Sequence, residues 1–236
     1  MDGRLTYSVL LPVMNEVASL DQTIRILRDE NPDRNFEFLI VVSPRSESAA
    51  TTNALAHQVA TPESVRVVHQ ERPLLGGALM DAIEAATGDH IIMMASDLET
   101  DPHAVRKMLE ASDDNPNSII ATTRWQGEGA GFEGYGIGKK VANSIFQRTV
   151  RSIYSSELTD LTYGFRLYPS GSVKQQQWRT YNHGFLLESI LRPLRDGWQA
   201  QELPVTWKAR EEGVSSNSWR FYASYFTMAF SIRFGD

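Results

Sequence analysis

The sequence predicts an α/β fold with a mostly parallel central sheet and helices on both faces. Three observations carry that expectation. Short apolar runs alternate with helical patterns through the first half of the chain, the order expected of βαβ units. The runs are continuously apolar, as strands buried on both faces are. Polar and acidic residues follow the strands directly, where ligands bind in open parallel sheets.

Tyr7–Val13 (YSVLLPV) reads as the first buried strand. Val17–Asp29 then carries Leu20, Ile24 and Leu27 at helical spacing. Phe36–Val42 is a second strand, Glu47–Val59 a helix and Val65–His69 a short third strand. Leu75–Thr87 reads as a helix and His90–Met94 as a fourth strand. Pro102 suits the first turn of a helix running through Ala111, because its missing N–H costs little there. Ile119–Thr122 is a fifth strand.

After Arg124 the pattern changes. Gly127–Gly138 reads as a Gly-rich loop, either a mobile part of a site or a linker. Lys139–Tyr154 predicts a helix with Lys139, Lys140, Arg148 and Arg151 on a basic face. Trp198–Trp207 reads as a late strand that Pro204 places at a sheet edge. The aromatic stretch Ser218–Phe234 is a helix either lying in a membrane interface or docked on the core or a second copy.

Composition narrows the function. A chain of 236 residues can bury a sizeable core, and 42% hydrophobic with 22% charged residues is an ordinary globular balance. The net charge of −6 argues against general nucleic-acid binding. With no cysteine, disulfides, cysteine nucleophiles and Cys-ligated metals are excluded. Met1–Thr6 lacks the basic and apolar regions of a signal peptide, and no run reaches the ~18–20 apolar residues of a spanning helix. The expected place is the cytoplasm, with contact to the inner face of a membrane left open. His69, His90, His103 and His183 lack zinc spacing, and neither a nucleophile elbow nor a P-loop is present.

Three places carry candidate chemistry. After the first strand, Asn15 and Glu16 stand where a strand hands over to a helix; taken alone, they are better explained as a helix cap. After the fourth strand, Asp97, Glu99 and Asp101 alternate. In an extended segment all three would face one way, and a divalent cation would relieve their repulsion. Asp101, just ahead of Pro102, also suits a cap. The third place, Thr159–Arg166, gathers Asp160, Thr162, Gly164 and Arg166, either as a phosphate site or as an internal ion pair.

Together these segments resemble the family 2 glycosyltransferases of the GT-A fold, in particular the polyprenyl-phosphate sugar transferases. VLLPVMNE looks like the opening strand and nucleotide loop of that family, and Arg72–Ala78 like its Arg- and Gly-rich turn. Ala95–Pro102 occupies its acidic metal motif, and Thr123-Arg124-Trp125 is similar to its strand-five segment. TDLTYGFRLY is similar to its acceptor motif, and Leu203–Val205 with Lys208–Ser215 to its late strand and active-site loop.

The resemblance implies a nucleotide-sugar-binding half over residues 1–123 and an acceptor-binding half over 124–236, in one continuous domain. It places Pro12, Asn15, Glu16, Ser43, Arg72, Gly76, Ser96, Asp97 and Arg124 against a UDP- or GDP-linked donor. Asp97 and Glu99 would hold Mg²⁺ or Mn²⁺. Arg166 would bind an acceptor phosphate, with Asp160 nearby, and Arg124 and Arg210 would meet either the diphosphate or that acceptor phosphate. Asp160 would serve as base if the acceptor were a sugar hydroxyl, with inversion at the anomeric carbon. The sequence departs from the family pattern at Ala95, in place of an acid; at Ser43-Pro44-Arg45, in place of an acidic pair; at Met14, in place of an aromatic; and at Ser216, in place of a lysine. Ala95 and Ser43-Pro44 keep a second function open: a catalytically silent relative that binds nucleotide or phosphosugar as a partner subunit.

Overall fold

The computed structural model describes residues 5–14, 18–43, 64–133, 137–208 and 220–235. The elements run β1 Thr6–Val13, α1 Ala18–Glu30, β2 Asn35–Val42, β3 Val65–His69, α2 Leu74–Ala85, β4 His90–Met93, α3 Ala104–Asp114 and β5 Ile119–Thr123. They continue with β6 Gly131–Glu133, α4 Ile137–Tyr154, β7 Arg166–Pro169, α5 Ser170–Lys174, α6 Phe185–Arg195, β8 Ala200–Pro204, β9 Thr206–Lys208 and α7 Arg220–Phe234. The helix expected over Glu47–Val59 lies outside the described residues.

The main sheet has the order β3-β2-β1-β4-β7-β5-β8. Its strands send successive side chains to opposite faces. Leu10 and Leu39 join the core under α2, α4, α6 and α7, while Val9, Leu11, Phe38 and Ile40 join the core under α1 and α3. Both faces of these strands are buried, which is why the strand runs read as unbroken apolar sequence. β2 and β4 lie on opposite sides of β1, so strand order reverses there, and in open α/β sheets ligands bind beyond the carboxyl ends of the strands at such a point.

Two features differ from the sequence expectation. β7, absent from it, enters antiparallel between β4 and β5. It has only four residues and begins with an arginine, so it offers neither the length nor the apolar pattern of a central strand. The span Trp198–Trp207 is two strands, not one. β8 pairs with β5 at the sheet edge, Val205 turns away by donating its N–H to the Thr123 carbonyl (2.9 Å), and β9 pairs with β6 in a separate two-stranded ribbon. That ribbon draws part of the Gly-rich segment into regular structure.

Candidate active site

Pro12 lies near the end of β1, in register with Val41 of β2. The β1–β4 ladder stops two residues earlier, at Leu10↔Met93. Beyond that point a side chain bridges the two strands: buried Ser96 donates its hydroxyl to the Pro12 carbonyl at 3.0 Å. Ser43, also buried, closes the end of β2. Asn15 and Glu16 lie outside the described residues.

The acidic segment after β4 is a turn, not the extended stretch expected. Leu98 has a left-handed backbone (φ 61°), and the Asp97 carboxylate accepts the Glu99 N–H at 3.1 Å. This Asx-type turn, not a period-two alternation, sets the spacing of the two acids. Asp101 stands apart, accepting the His103 N–H at 3.0 Å ahead of α3, which is cap-like work. Among the described residues, no group of three His, Asp or Glu side chains is placed to hold a metal ion. The Asp97 and Glu99 carboxylates still fit a hard cation that completes its shell with substrate phosphate oxygens and water.

A second cluster forms where β5 ends. Arg124 lays its fork on Asp160, Nε at 2.6 Å and an Nη at 3.0 Å. Its guanidinium stacks over the Tyr163 ring, 4.4 Å from the centroid. The Asp160 carboxylate also accepts Gln147 Nε2 at 3.2 Å and is itself fully buried. It is therefore committed to holding Arg124, and the expectation of a base reaching an acceptor hydroxyl is corrected to a positioning role. Burial pushes the Tyr163 phenol well above its usual range, so it stays protonated.

Arg166 is also corrected. The expectation set it against an acceptor phosphate, but its side chain is 0% exposed on β7. Its guanidinium donates to the carbonyls of Leu186 (2.6 Å) and Leu161 (2.8 Å) and to Ser189 Oγ (3.2 Å). The Leu161 carbonyl lies in irregular chain ahead of β7 and the Leu186 carbonyl in the first turn of α6, and a buried arginine with a fixed fork reaches both at once. Arg210 lies outside the described residues.

The Arg- and Gly-rich turn is occupied within the chain. Arg72 pairs with Asp81 (2.5 Å) and Glu84 (2.9 Å) of α2. Gly76 donates its N–H to the Tyr181 carbonyl at 2.7 Å, and a Cβ there would lie 2.3 Å from the Thr180 carbonyl oxygen. The glycine is required by this backbone contact, which places its N–H on Tyr181 and not on a donor phosphate. Glu188 is structural: buried on α6, it accepts the N–H groups of Arg179 and Thr180 and pairs with Arg192 at 2.6 Å.

Sequence reasoning placed Thr123, Thr159 and Tyr163 within candidate motifs without giving them a role, and it missed Glu202. Glu202 of β8 accepts the Thr159 N–H (2.6 Å), the Asp160 N–H (2.8 Å) and the Thr159 hydroxyl (2.7 Å). Burial lifts its carboxyl above the ordinary range, against the pull of those hydrogen bonds. The one signal in the sequence was an acid inside the strand segment AQELP.

The sequence and the fold are similar to those of known proteins. The family model described as glycosyl transferase family 2 matches residues 8–176. Glycosyltransferase AglD of Haloferax volcanii is 26% identical over 210 residues, covering 86% of this chain and 33% of AglD. This chain therefore spans about a third of that relative's length. Undecaprenyl-phosphate mannosyltransferase of Micrococcus luteus is 26% identical over 219 residues, 89% of this chain and 86% of that protein. Glucosyl-3-phosphoglycerate synthase from Mycobacterium tuberculosis, in complex with Mn²⁺, UDP-glucose and glycerol 3-phosphate, superposes with a TM-score of 0.70 at 15% identity, over 98% of this chain and 80% of that one. Its complex with Mg²⁺ and UDP gives 0.69 at 15% identity, with the same coverage. The expected GT-A architecture is borne out by these superpositions.

Proposed function

The chain belongs to glycosyl transferase family 2, and from that premise we propose that it moves a sugar from a UDP- or GDP-linked donor onto a polyprenyl phosphate, inverting the anomeric carbon. The observation that carries the reading is the reversal of strand order at β1 and β4. There Ser96 ties the two strands together, and the Asp97–Glu99 turn follows β4. Asp97 and Glu99 would hold Mg²⁺ or Mn²⁺. Such a cation, when bound, neutralises charge growing on the departing diphosphate.

The chain's own residues do the rest. Pro12, Ser43 and Ser96 line the nucleotide end, with Asn15 and Glu16 following in sequence. Arg124, aimed by Asp160 and stacked on Tyr163, supplies fixed positive charge for a phosphate; Arg210 is proposed for the acceptor side. The choice of acceptor rests on Asp160. Its carboxylate is buried and bound to Arg124, so no described acid of this cluster is placed as a base for a sugar hydroxyl. A phosphate acceptor is already an anion and needs positioning instead. The name of the Micrococcus luteus relative supports the same acceptor class.

The test is transfer to undecaprenyl phosphate from UDP- and GDP-sugars with Mn²⁺. The expected result is turnover that stops with EDTA and in Asp97→Ala. Full turnover in EDTA would refute the metal role. Ala95, standing where the family has an acid, favours a second reading in which the chain binds nucleotide without transfer. A raised Tm with UDP or GDP and no product from any donor is its signature.

We also infer a peripheral seat on the inner face of a membrane. No described helix is long and apolar enough to cross one. α7 docks on the core through buried Ala229 and Ile232, yet Phe230 and Phe234 stay 58% and 64% exposed beside Arg233. Apolar rings with a neighbouring cation suit a headgroup boundary. Flotation with anionic vesicles, lost in a Phe230→Ser/Phe234→Ser variant, is expected; a homodimer in light scattering, with no flotation, would replace the membrane by a second copy.

A further inference from the structure

We propose that Glu202 is a positioning residue for Arg124, acting through the Thr159–Asp160 peptide and a chain of hydroxyls. This role rests on the proposed function, in which Arg124 meets a substrate phosphate.

The register of β8 on β5 places Glu202 opposite Ala121, a small residue that leaves its side chain room. One carboxylate oxygen accepts the consecutive N–H groups of Thr159 and Asp160, at 2.6 and 2.8 Å. Two successive donors on one oxygen fix the orientation of the peptide between them. That peptide carries the Asp160 side chain, whose oxygens hold Arg124 at 2.6 and 3.0 Å.

The other carboxylate oxygen acts along a second route. It accepts the Thr159 hydroxyl at 2.7 Å. The Thr159 oxygen lies 2.6 Å from Thr123 Oγ1, which accepts the Trp125 N–H at 3.1 Å. With Glu202 ionised, one arrangement of protons satisfies the series: Trp125 N–H gives to Thr123, Thr123 O–H gives to Thr159, and Thr159 O–H gives to the carboxylate. Every donor points towards Glu202, so its negative charge orients the series and each bond polarises the next. Thr123 and Trp125 flank Arg124 in sequence. Glu202 therefore holds the side chain of Arg124 through Asp160 and its backbone through Thr123.

Glu202→Gln tests this with little change in volume. The amide can still accept the two N–H groups, but its NH₂ must donate to Thr159, which reverses the hydroxyl series. In the ¹⁵N-labelled full chain, the Arg124 Nε–H signal is assigned by its loss in Arg124→Lys. In Glu202→Gln that signal should shift and exchange with solvent about tenfold faster, the factor expected for disturbing a charged hydrogen bond. The Leu10 and Ile92 amides in the sheet should keep their protection. In titrations with UDP and GDP in the presence of Mn²⁺, the nucleotide that binds should lose about tenfold in affinity in Glu202→Gln, but less than about twofold further in an Arg124→Lys background.

An unmoved Arg124 Nε–H signal in folded Glu202→Gln overturns the proposal, as does an equal loss of protection at Leu10 and Ile92. A nucleotide loss undiminished in Arg124→Lys also overturns it. If the Arg124 signal moves while nucleotide affinity is unchanged in both variants, positioning by Glu202 stands and the phosphate role of Arg124 falls.

Discussion

The β3-β2-β1-β4 side of the sheet and the β7-β5-β8 side are held in different ways. The first is a parallel ladder of apolar strands: Val9, Leu10, Leu11, Phe38, Leu39 and Ile40 are all fully buried. The second has strands of four or five residues and an antiparallel insert, and it buries Asp160, Arg166, Thr122 and Thr123. Apolar burial is non-directional and tolerates local change. A buried polar network is directional, so each group depends on its partners. The first side therefore serves as a frame for the candidate site, while the second fixes the direction of a charge.

The two arginines of the second side sharpen that contrast. Arg166 serves the frame and Arg124 the site. Arg166→Ala removes the guanidinium from the Leu161 and Leu186 carbonyls, of which Leu186 keeps the Ser189 hydroxyl, and opens a cavity. It should cost about 3–5 kcal/mol in denaturant unfolding, the largest effect expected here. Arg124→Lys keeps a cation but loses the two-pronged grip on buried Asp160, and should cost about 1.5–3 kcal/mol of stability, with its main effect on nucleotide affinity. If Arg166→Ala folds with wild-type stability and loses only acceptor affinity, the distinction collapses and Arg166 returns to the acceptor site.

Gly76 breaks or keeps the same comparison on the first side. A Cβ 2.3 Å from the Thr180 carbonyl oxygen must displace backbone. Gly76→Ala should cost about 1–3 kcal/mol, with nucleotide affinity unchanged once the protein is folded. A loss of UDP or GDP affinity at full stability would restore the glycine to the donor site.

Glu37 is a buried acid within the apolar ladder. Burial alone would raise its carboxyl, but Ser8 Oγ (2.5 Å), the Thr87 N–H (2.8 Å) and Arg66 (2.5 Å) outweigh that and hold it below the ordinary range. An acid whose folded value is depressed stabilises the fold above its unfolded value, about 4.3. That stabilisation fades as pH falls through the folded value. Unfolding free energy should therefore drop on acidification from about pH 5 to pH 3, and Glu37→Gln should flatten this limb. An unchanged slope in Glu37→Gln would assign the acid limb to other carboxylates.

The same contrast explains what the sequence reveals and what it hides. The first five strands are visible because a short, continuous apolar run is stable in few settings besides a strand covered on both faces. The acids after β4 stand out against the run before them. β7 is invisible because Arg166 looks like a ligand when its carbonyl partners, at Leu161 and Leu186, are set by tertiary structure rather than by spacing. Glu202 is hidden for a related reason. In the segment Ala200–Pro204 it looks like the wet side of an edge strand, and only the register Ala121↔Glu202 and the path of residues 159–160 turn it inward. Gly76 and Arg72 illustrate the converse: a motif can be recognised while its atoms are committed to neighbouring chain. Pattern reports burial well because burial needs no particular partner, whereas a hydrogen bond needs a partner that tertiary structure alone supplies.

The smallest expected effect lies at the meeting of frame and candidate site, in the turn between the two candidate metal ligands. A left-handed leucine costs about 1–2 kcal/mol, and Leu98 sits at φ 61° with the Asp97 carboxylate closing on the Glu99 N–H. Glycine adopts that conformation without the penalty but loses more chain entropy, about 0.5–1 kcal/mol. Leu98→Gly should therefore change stability by less than about 1 kcal/mol in either direction. Its informative effect is on the cation. If the strained leucine holds Asp97 and Glu99 at their working separation, the glycine variant should bind Mn²⁺ a few-fold more weakly in an electron paramagnetic resonance titration at nearly unchanged Tm. A large loss of stability would instead mean that the Leu98 side chain belongs to the frame. Unchanged Mn²⁺ affinity would mean that the Asp97–Glu99 hydrogen bond alone sets the turn.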